Sequence, residues 1–286
     1  MHDIDTIAVV GAGTMGRGIA QTAAMAGYRV VLTDSQPGAA AAAISSIAQM
    51  LAKLVEKGTM KSSERVAATT LLSTADTLAA AVGEAGLVVE AVPESIELKA
   101  KIFAELDAKA PRGAILASNT SSLPIARIAS ATTRPERVCG MHFFNPVPLM
   151  PLLEIVRAEA TSEATIAEAV LVAKRLGKDP IVVRDSPGFA TSRLGVLLGL
   201  EAIRMLEAGV AAAEDIDKAM TLGYKHPMGP LRLTDLVGLD VRLAIAEHLH
   251  RELASDAFKP PELLRRMVAG GSLGKKSGRG FYRWDQ

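Results

Sequence analysis

Gly11-Ala12-Gly13-Thr14-Met15-Gly16 follows a run of β-branched residues and opens a helical segment. Glycines in that spacing can carry a dinucleotide. The first permits a tight turn, the second lets backbone approach a pyrophosphate, and the third lets helix pack on strand. The helix N-terminus then offers unpaired N–H groups and a partial positive charge to phosphates. The alternative is an ordinary glycine-rich turn. Asp34 lies 21 positions after Gly13, behind a second β-branched run. A carboxylate there accepts from both ribose hydroxyls of NAD and repels the 2′-phosphate of NADP. No Arg or Lys in Ser35-Gln36-Pro37-Gly38 could neutralise such a phosphate. The pattern predicts NAD, against a plain turn role for Asp34.

Taking a hydride from an alcohol carbon requires a group that receives the hydroxyl proton, and His is tuned for that near neutral pH. Of five histidines, His2 is terminal, and His226 precedes Pro227 in a loop, where capping or structural roles are open. His248 and His250 are two apart on a helix and do not share a face. His142 ends a strand beside Phe143-Phe144-Asn145-Pro146, where open α/β sheets place their ligand crevice. By position it is the best candidate, and a satisfied core histidine is the alternative. Glu154 interrupts the apolar Pro151-Leu152-Leu153-Glu154-Ile155-Val156 and calls for a hydrogen-bonded or charged partner. The Ser/Asn cluster at 118–122 reads by itself as a turn or helix cap. No spacing of His, Cys and carboxylates suggests a metal site. Gly274-Lys275-Lys276-Ser277 lacks the upstream Gly of a phosphate loop.

These residues must be positioned by alternating elements. Strands are expected at Thr6–Val10, Arg29–Thr33, Leu87–Ala91, Ala114–Ala117, Val138–Met141 and Pro180–Val183. Helices lie between them, one carrying Ile44, Ile47, Leu51 and Leu54 on a single face. Such alternation implies an α/β fold with a parallel sheet covered on both sides. The pattern breaks at Asp185-Ser186-Pro187-Gly188. Helices are then expected over 189–208, 213–222, 239–253 and 261–269. The division is a Rossmann-type dinucleotide-binding domain at 1–184 and a mostly helical C-terminal domain at 185–286.

The chain has 286 residues, and 32 basic against 31 acidic side chains leave a net charge of +1. That gives no electrostatic reason to expect nucleic acid or an anionic membrane as partner. Apolar residues make up 49%, enough for a substantial core. The single cysteine, Cys139, excludes an internal disulfide framework and fits a reducing compartment. No apolar run approaches the ~20 residues of a membrane span. Met1-His2-Asp3-Ile4-Asp5 carries two acids and no leader pattern. A soluble, cytoplasmic protein is expected.

Over essentially its whole length the sequence resembles the NAD-dependent 3-hydroxyacyl-CoA dehydrogenases, in particular short bacterial 3-hydroxybutyryl-CoA members. The resemblance rests on the glycine string through Gln21, Ala117-Ser118-Asn119-Thr120-Ser121-Ser122-Leu123, Gly140-Met141-His142-Phe143-Phe144-Asn145-Pro146 and Leu152-Leu153-Glu154. Later matches are Asp185-Ser186-Pro187-Gly188-Phe189, His226-Pro227-Met228-Gly229-Pro230, Gly238-Leu239-Asp240 and Gly274-Lys275-Lys276-Ser277-Gly278. It implies His142 as catalytic acid/base, Glu154 as the carboxylate that holds it, and Ser121 at the substrate's C3 oxygen. Asn145 falls on a nicotinamide-side position. Ala91, Glu94, Lys99 and Lys276 match residues lining the cofactor site. Lys53 and Lys57 match lysines that hold coenzyme A phosphates, and their alternative is a solvated helix face. A homodimer is implied. Two departures stand out. Ser192 takes the place where the family usually has an Asn assisting Ser121, and Pro151 stands where a basic residue is common. Rival functions are a dehydrogenase of a free 3-hydroxy acid or sugar acid on the same fold, and a non-catalytic NAD-binding protein.

Overall fold

The computed structural model describes residues 4–284. The chain divides into two compact units, 1–185 and 186–286.

The first unit starts with β1 (Thr6–Val10), α1 (Thr14–Met25), β2 (Arg29–Thr33), α2 (Ala39–Glu56), α3 (Ser62–Thr70) and β3 (Leu72–Thr74). It continues with α4 (Leu78–Val82), β4 (Leu87–Glu90), α5 (Ile96–Lys109), β5 (Ile115–Ser118) and α6 (Ile125–Ala129). It ends with β6 (Val138–Phe143), β7 (Leu152–Arg157), α7 (Glu163–Arg175) and β8 (Asp179–Arg184). The eight strands run in the order β3-β2-β1-β4-β5-β6-β7-β8. Strand order reverses between β1 and β4, and at such a switch point a crevice opens beyond the carboxyl ends of the strands.

Two strands escape the sequence pattern, β3 and β7. The fully parallel sheet expected from alternation is corrected as well: β6 pairs antiparallel with β7, while the other neighbours are parallel. The link between them, residues 144–151, contains no helix, and without a crossover a strand can only return antiparallel. Coverage is also incomplete, since Ile181 and Val182 of β8 stay exposed.

The core follows from burial of both faces of the central strands. Val9, Val30, Leu32, Leu87 and Ile115 are buried with Ile47 and Leu51 of α2. The Ala run at 39–43 forms the first turn of α2, whose apolar stripe Ala40, Ala43, Ile47 and Leu51 faces inward. With a mean hydropathy of 1.3 over 18 residues, α2 is apolar through its alanines and leaves Lys53 in its last turn.

The second unit contains α8 (Thr191–Glu207), α9 (Ala213–Gly223), α10 (Pro230–Val237), α11 (Leu239–Leu253) and α12 (Glu262–Ala269). Val196, Leu200, Ile203, Leu231, Leu249 and Leu264 form its core. Two buried carboxylates tie it together. Asp217 accepts from the N–H groups of Leu231 and Arg232 at the start of α10 and from the Tyr282 hydroxyl. Asp235 accepts from the Phe281 and Tyr282 N–H groups and from Trp284 Nε1–H. The sequence reading expects no helix between 222 and 239, where α10 lies. Pro at the first helical position is well placed, since its missing N–H would be unpaired there anyway.

Candidate active site

The glycine string forms the β1–α1 turn. Gly11 has φ +104°, and a Cβ there would lie 2.7 Å from the Ala91 carbonyl oxygen. A Cβ on Gly16 would strike the Gly11 carbonyl. Those two glycines therefore permit the turn and the close packing of the β1 and β4 ends. Gly13 differs: a Cβ there would meet nothing within 4 Å. It caps α1 with no side-chain hydrogen bond, so the first N–H groups of the helix have no side-chain cap. Asp34 receives the Ala12 N–H at 2.7 Å on Oδ2 and the Gln36 N–H at 2.9 Å on Oδ1. It thus fixes the turn while lining a cavity of about 900 Å³. Thr14, Met15 and Ala91 line that cavity, and so do Asp76, Leu78, Lys101, Ile102 and Glu105, which the sequence reading did not single out. A helix N-terminus without a side-chain cap and a carboxylate after the second strand, both lining a cavity of this size, fit a dinucleotide.

His142 and Glu154 face each other across the antiparallel β6–β7 pair. His142 Nδ1 lies 2.7 Å from Glu154 Oε2, with His142 7% and Glu154 0% exposed. At that distance an ionised carboxylate accepts from Nδ1–H and favours that tautomer. The Phe144 ring packs against the imidazole at 4.4 Å between centroids. Direct register opposition explains why an acid sits inside an apolar strand: it meets a histidine that needs orienting.

The second cluster joins the ends of β4 and β5. Thr120 Oγ1 donates to Glu94 Oε1 at 2.5 Å, and the Ser121 N–H donates to the same oxygen at 3.1 Å, with Ser121 Oγ 3.4 Å away. Lys99, 1% exposed, donates from Nζ to Glu90 Oε1 at 2.6 Å and pairs with Glu94 Oε2 at 3.4 Å. Lys99 is thus a buried strut behind Glu94 and not a surface cation. Glu90, fully buried, also accepts from the Val92 N–H and the Ser118 hydroxyl, both at 2.7 Å. The sequence reading missed Glu90, although an acid ending the apolar Leu87-Val88-Val89 carries the same signal that marked Glu154. Asn119 links the clusters, its Oδ1 accepting from the Phe143 N–H at 2.9 Å.

Lys178 is a further residue missed. Its Nζ donates to the carbonyls of Val147 at 2.5 Å and Met150 at 2.8 Å, holding the loop after His142. Burial lowers its pKa. Gly18 of α1 packs on the same loop, where a Cβ would lie 2.9 Å from Val147 Cβ. Asn145 sits exposed at the loop's start. Lys53 and Lys57 are exposed at the end of α2. In the second unit, Ser192 is half-buried in the first turn of α8, and Lys276 pairs with Asp240. His2 lies outside the described residues.

Family models decide the matter. Residues 6–186 match the 3-hydroxyacyl-CoA dehydrogenase NAD-binding domain, and residues 188–284 match the C-terminal domain of the same enzymes. The chain belongs to the 3-hydroxyacyl-CoA dehydrogenase family. It is 46% identical over 284 residues to the probable 3-hydroxybutyryl-CoA dehydrogenase of Bacillus subtilis, covering 99% of each chain. It is 47% identical over 281 residues to the 3-hydroxybutyryl-CoA dehydrogenase of Mycobacterium tuberculosis, covering 98% of each. The solved (S)-3-hydroxybutyryl-CoA dehydrogenase of Ralstonia eutropha superposes with a TM-score of 0.95 at 40% identity, covering 99% of this chain and 100% of that one.

Proposed function

We propose that the protein interconverts a short (S)-3-hydroxyacyl-CoA and its 3-ketoacyl-CoA with NAD, with 3-hydroxybutyryl-CoA as a representative substrate. The single observation that carries this reading is the buried pair of His142 and Glu154 at 2.7 Å. The residues of the cavity at Asp34 would hold a dinucleotide, whose chemistry when bound would be hydride exchange with C3 of the substrate. His142 removes the C3 hydroxyl proton through Nε2 in oxidation and returns it to the ketone in reduction. Glu154 holds the imidazole and stabilises it while it carries the extra proton. Ser121 donates to the C3 oxygen, and its peptide N–H is fixed by Glu94. Ser192 is assigned the supporting donor role that an Asn fills elsewhere in the family. Gly11, Gly13, Thr14, Met15, Gly16 and Asp34 would hold the adenosine diphosphate half, with Ala91, Glu94, Asn145 and Lys276 further along the cofactor and Lys99 bracing Glu94 from behind. Lys53 and Lys57 are the flexible point charges proposed for the coenzyme A phosphates.

Leu194, Leu222, Tyr224, Leu236 and Val241 leave apolar surface exposed on the second unit, which supports a homodimer of about twice 30.0 kDa. Light scattering in solution tests that mass. A cytoplasmic location is proposed with it, in line with the single, buried and unpaired Cys139.

The deciding assay follows NADH oxidation with acetoacetyl-CoA, longer 3-ketoacyl-CoAs and free acetoacetate. Turnover of the short thioester is expected, with free acetoacetate at least about 10²-fold worse in kcat/KM because its lost carrier forfeits binding energy. Equal use of the free acid would remove coenzyme A from the reading.

A further inference from the structure

Residues 144–151 leave His142 and lead the chain back into β7. This link closes one turn: the N–H groups of Leu149 and Met150 both donate to the Pro146 carbonyl, at 3.0 and 3.1 Å. As at the end of any helical turn, the carbonyls that follow have no partner within it. Two of them, from Val147 and Met150, converge on Lys178 Nζ at 2.5 and 2.8 Å. A lysine that receives the last carbonyls of a turn acts as its cap. Lys178 is 8% exposed. Burial alone lowers its pKa, with no neighbouring charge contributing. A buried ammonium without a counter-ion is costly unless its N–H groups are satisfied, and here peptide carbonyls of one loop satisfy them.

The same loop is held from its other sides. A Cβ on Gly18 of α1 would lie 2.9 Å from Val147 Cβ and 3.7 Å from Pro148 Cδ, so α1 leaves the buried Val147 no room to retreat. Downstream, the Asp179 N–H, next in sequence to Lys178, donates to the Pro151 carbonyl at 2.8 Å. Upstream, the Phe143 N–H donates to Asn119 Oδ1. Between that upstream anchor and the capped turn lie two residues. Phe144 packs its ring against His142, and Asn145 stands exposed immediately before Pro146. Neither Lys178 nor any residue of 144–151 lines the cavity at Asp34.

Resting on the dehydrogenase reading above, we propose that Lys178 is a positioning residue for the reaction. By capping the 146–150 turn it fixes Asn145, assigned by resemblance to the nicotinamide side, and holds Phe144 against the His142 ring. Lys178 acts through the loop and touches neither reactant. A flexible stem ending in an ammonium suits this task, because its N–H groups can turn to two carbonyls at once. Methionine has a similar length and no donor, so it would leave two carbonyls of the turn unpaired. The loop would then relax where Asn145 and Phe144 need a set direction. The adenosine half of the dinucleotide would not sense the change, since other residues line its cavity.

The test uses the full chain with Lys178→Met, Asn145→Ala and both together. NADH oxidation with saturating acetoacetyl-CoA gives kcat, and calorimetry gives Kd for NADH and for ADP-ribose, which lacks the nicotinamide. Lys178→Met should lower kcat roughly ten- to a hundredfold, the scale on which small misplacements at a reacting centre act. It should raise the NADH Kd about threefold or more and leave the ADP-ribose Kd within about twofold. Asn145→Ala should show the same split. The double variant should fall well short of the product of the two single losses, because both act through one loop. Lys178→Gln, which keeps a donor, should lose less than Lys178→Met and carries the test if Met does not fold. A Lys178 variant that folds and keeps the wild-type kcat overturns the proposal, and so does Asn145→Ala at the wild-type rate. Single losses that multiply in full, or an ADP-ribose Kd that rises with the NADH Kd, would mark Lys178 as a general structural support and overturn it too. If Asn145→Ala slows turnover and the Lys178 variants do not, this proposal alone fails. If the wild type does not oxidise NADH with acetoacetyl-CoA, the dehydrogenase reading fails with it.

Discussion

Glu154→Gln isolates what the buried carboxylate contributes. The substitution keeps the shape and one oxygen that can accept from His142 Nδ1–H, but removes a full charge 2.7 Å from the ring. Water does not screen the pair, since Glu154 is completely buried. Two unit charges about 4 Å apart at an effective dielectric of ~20 interact by about 4 kcal/mol, and a charge-assisted hydrogen bond exceeds a neutral one by about 1–2 kcal/mol. A loss of about 2–4 kcal/mol in the transition state, where His142 carries the proton, lowers kcat by roughly 30- to 10³-fold. NADH affinity should hardly change, because the dinucleotide cavity is lined by other elements. Stopped-flow or steady-state NADH oxidation with saturating acetoacetyl-CoA gives kcat, fluorescence titration gives the NADH Kd, and a thermal melt excludes misfolding. His142→Ala should cost about 10²–10⁴ in kcat. Adding Glu154→Gln to it should cost nothing further, since Glu154 acts only through the imidazole. A single variant within threefold of wild type, or a double variant clearly slower than His142→Ala, refutes the reasoning.

Asp34 should make NADH the better substrate over NADPH through repulsion of the 2′-phosphate, and equal kcat/KM values for the two would remove it from ribose recognition. Lys53 and Lys57 both replaced by Ala should mainly raise KM for acyl-CoA, and added salt should raise the wild-type KM; a KM indifferent to both means a solvated helix face. Ser192→Ala should lose about 1–3 kcal/mol in kcat/KM with acetoacetyl-CoA, the scale of a lost buried hydrogen bond, whereas an unchanged value shows that Ser121 and His142 suffice. Burial opposes the charged form of Asp107, yet hydrogen bonds from Thr133 and Arg134 outweigh it and hold the carboxyl below its usual range. Its stabilisation is therefore present above the unfolded pKa of about 3.9 and fades as pH falls through the lower folded value. Asp107→Asn should cost about 3 kcal/mol at pH 7 in urea melts, because Arg134 loses its partner, and the gap to wild type should narrow below about pH 4.

Much of this site was legible because its residues break a local pattern. The glycine string, Asp34 and a histidine ending an apolar strand each depart from what simple packing requires, and all three fall at carboxyl ends of strands. Glu154 was legible for the same reason, as an acid among Leu and Ile. What the pattern could not give was its strand. In β7 the charged residue falls inside a six-residue run, so the apolar signal that marks a buried strand is interrupted where it matters most. The three residues of β3 are too few and too exposed to show a period. The antiparallel turn of β7 depends on what the 144–151 link lacks, a helix, which no short motif announces.

Glu90 and Glu154 support the site in different ways, and their partners say which support is structural. Glu154 holds a histidine, so removing its charge leaves a group that can stay neutral, and the loss falls on the rate. Glu90 holds Lys99, which is 1% exposed and has beyond it only Glu94, at 3.4 Å, as a charged partner. Removing Glu90 strands a buried ammonium, and breaking such a pair is far more costly than never having built it. Glu90 also receives the Val92 N–H and the Ser118 hydroxyl, so its loss loosens the β4–α5 turn and the β5 end together. Ser121 sits three residues beyond Ser118 with its N–H on Glu94, and its donor direction depends on that frame. The buried Glu90–Lys99 pair therefore braces Glu94, whose carboxylate receives the Ser121 N–H.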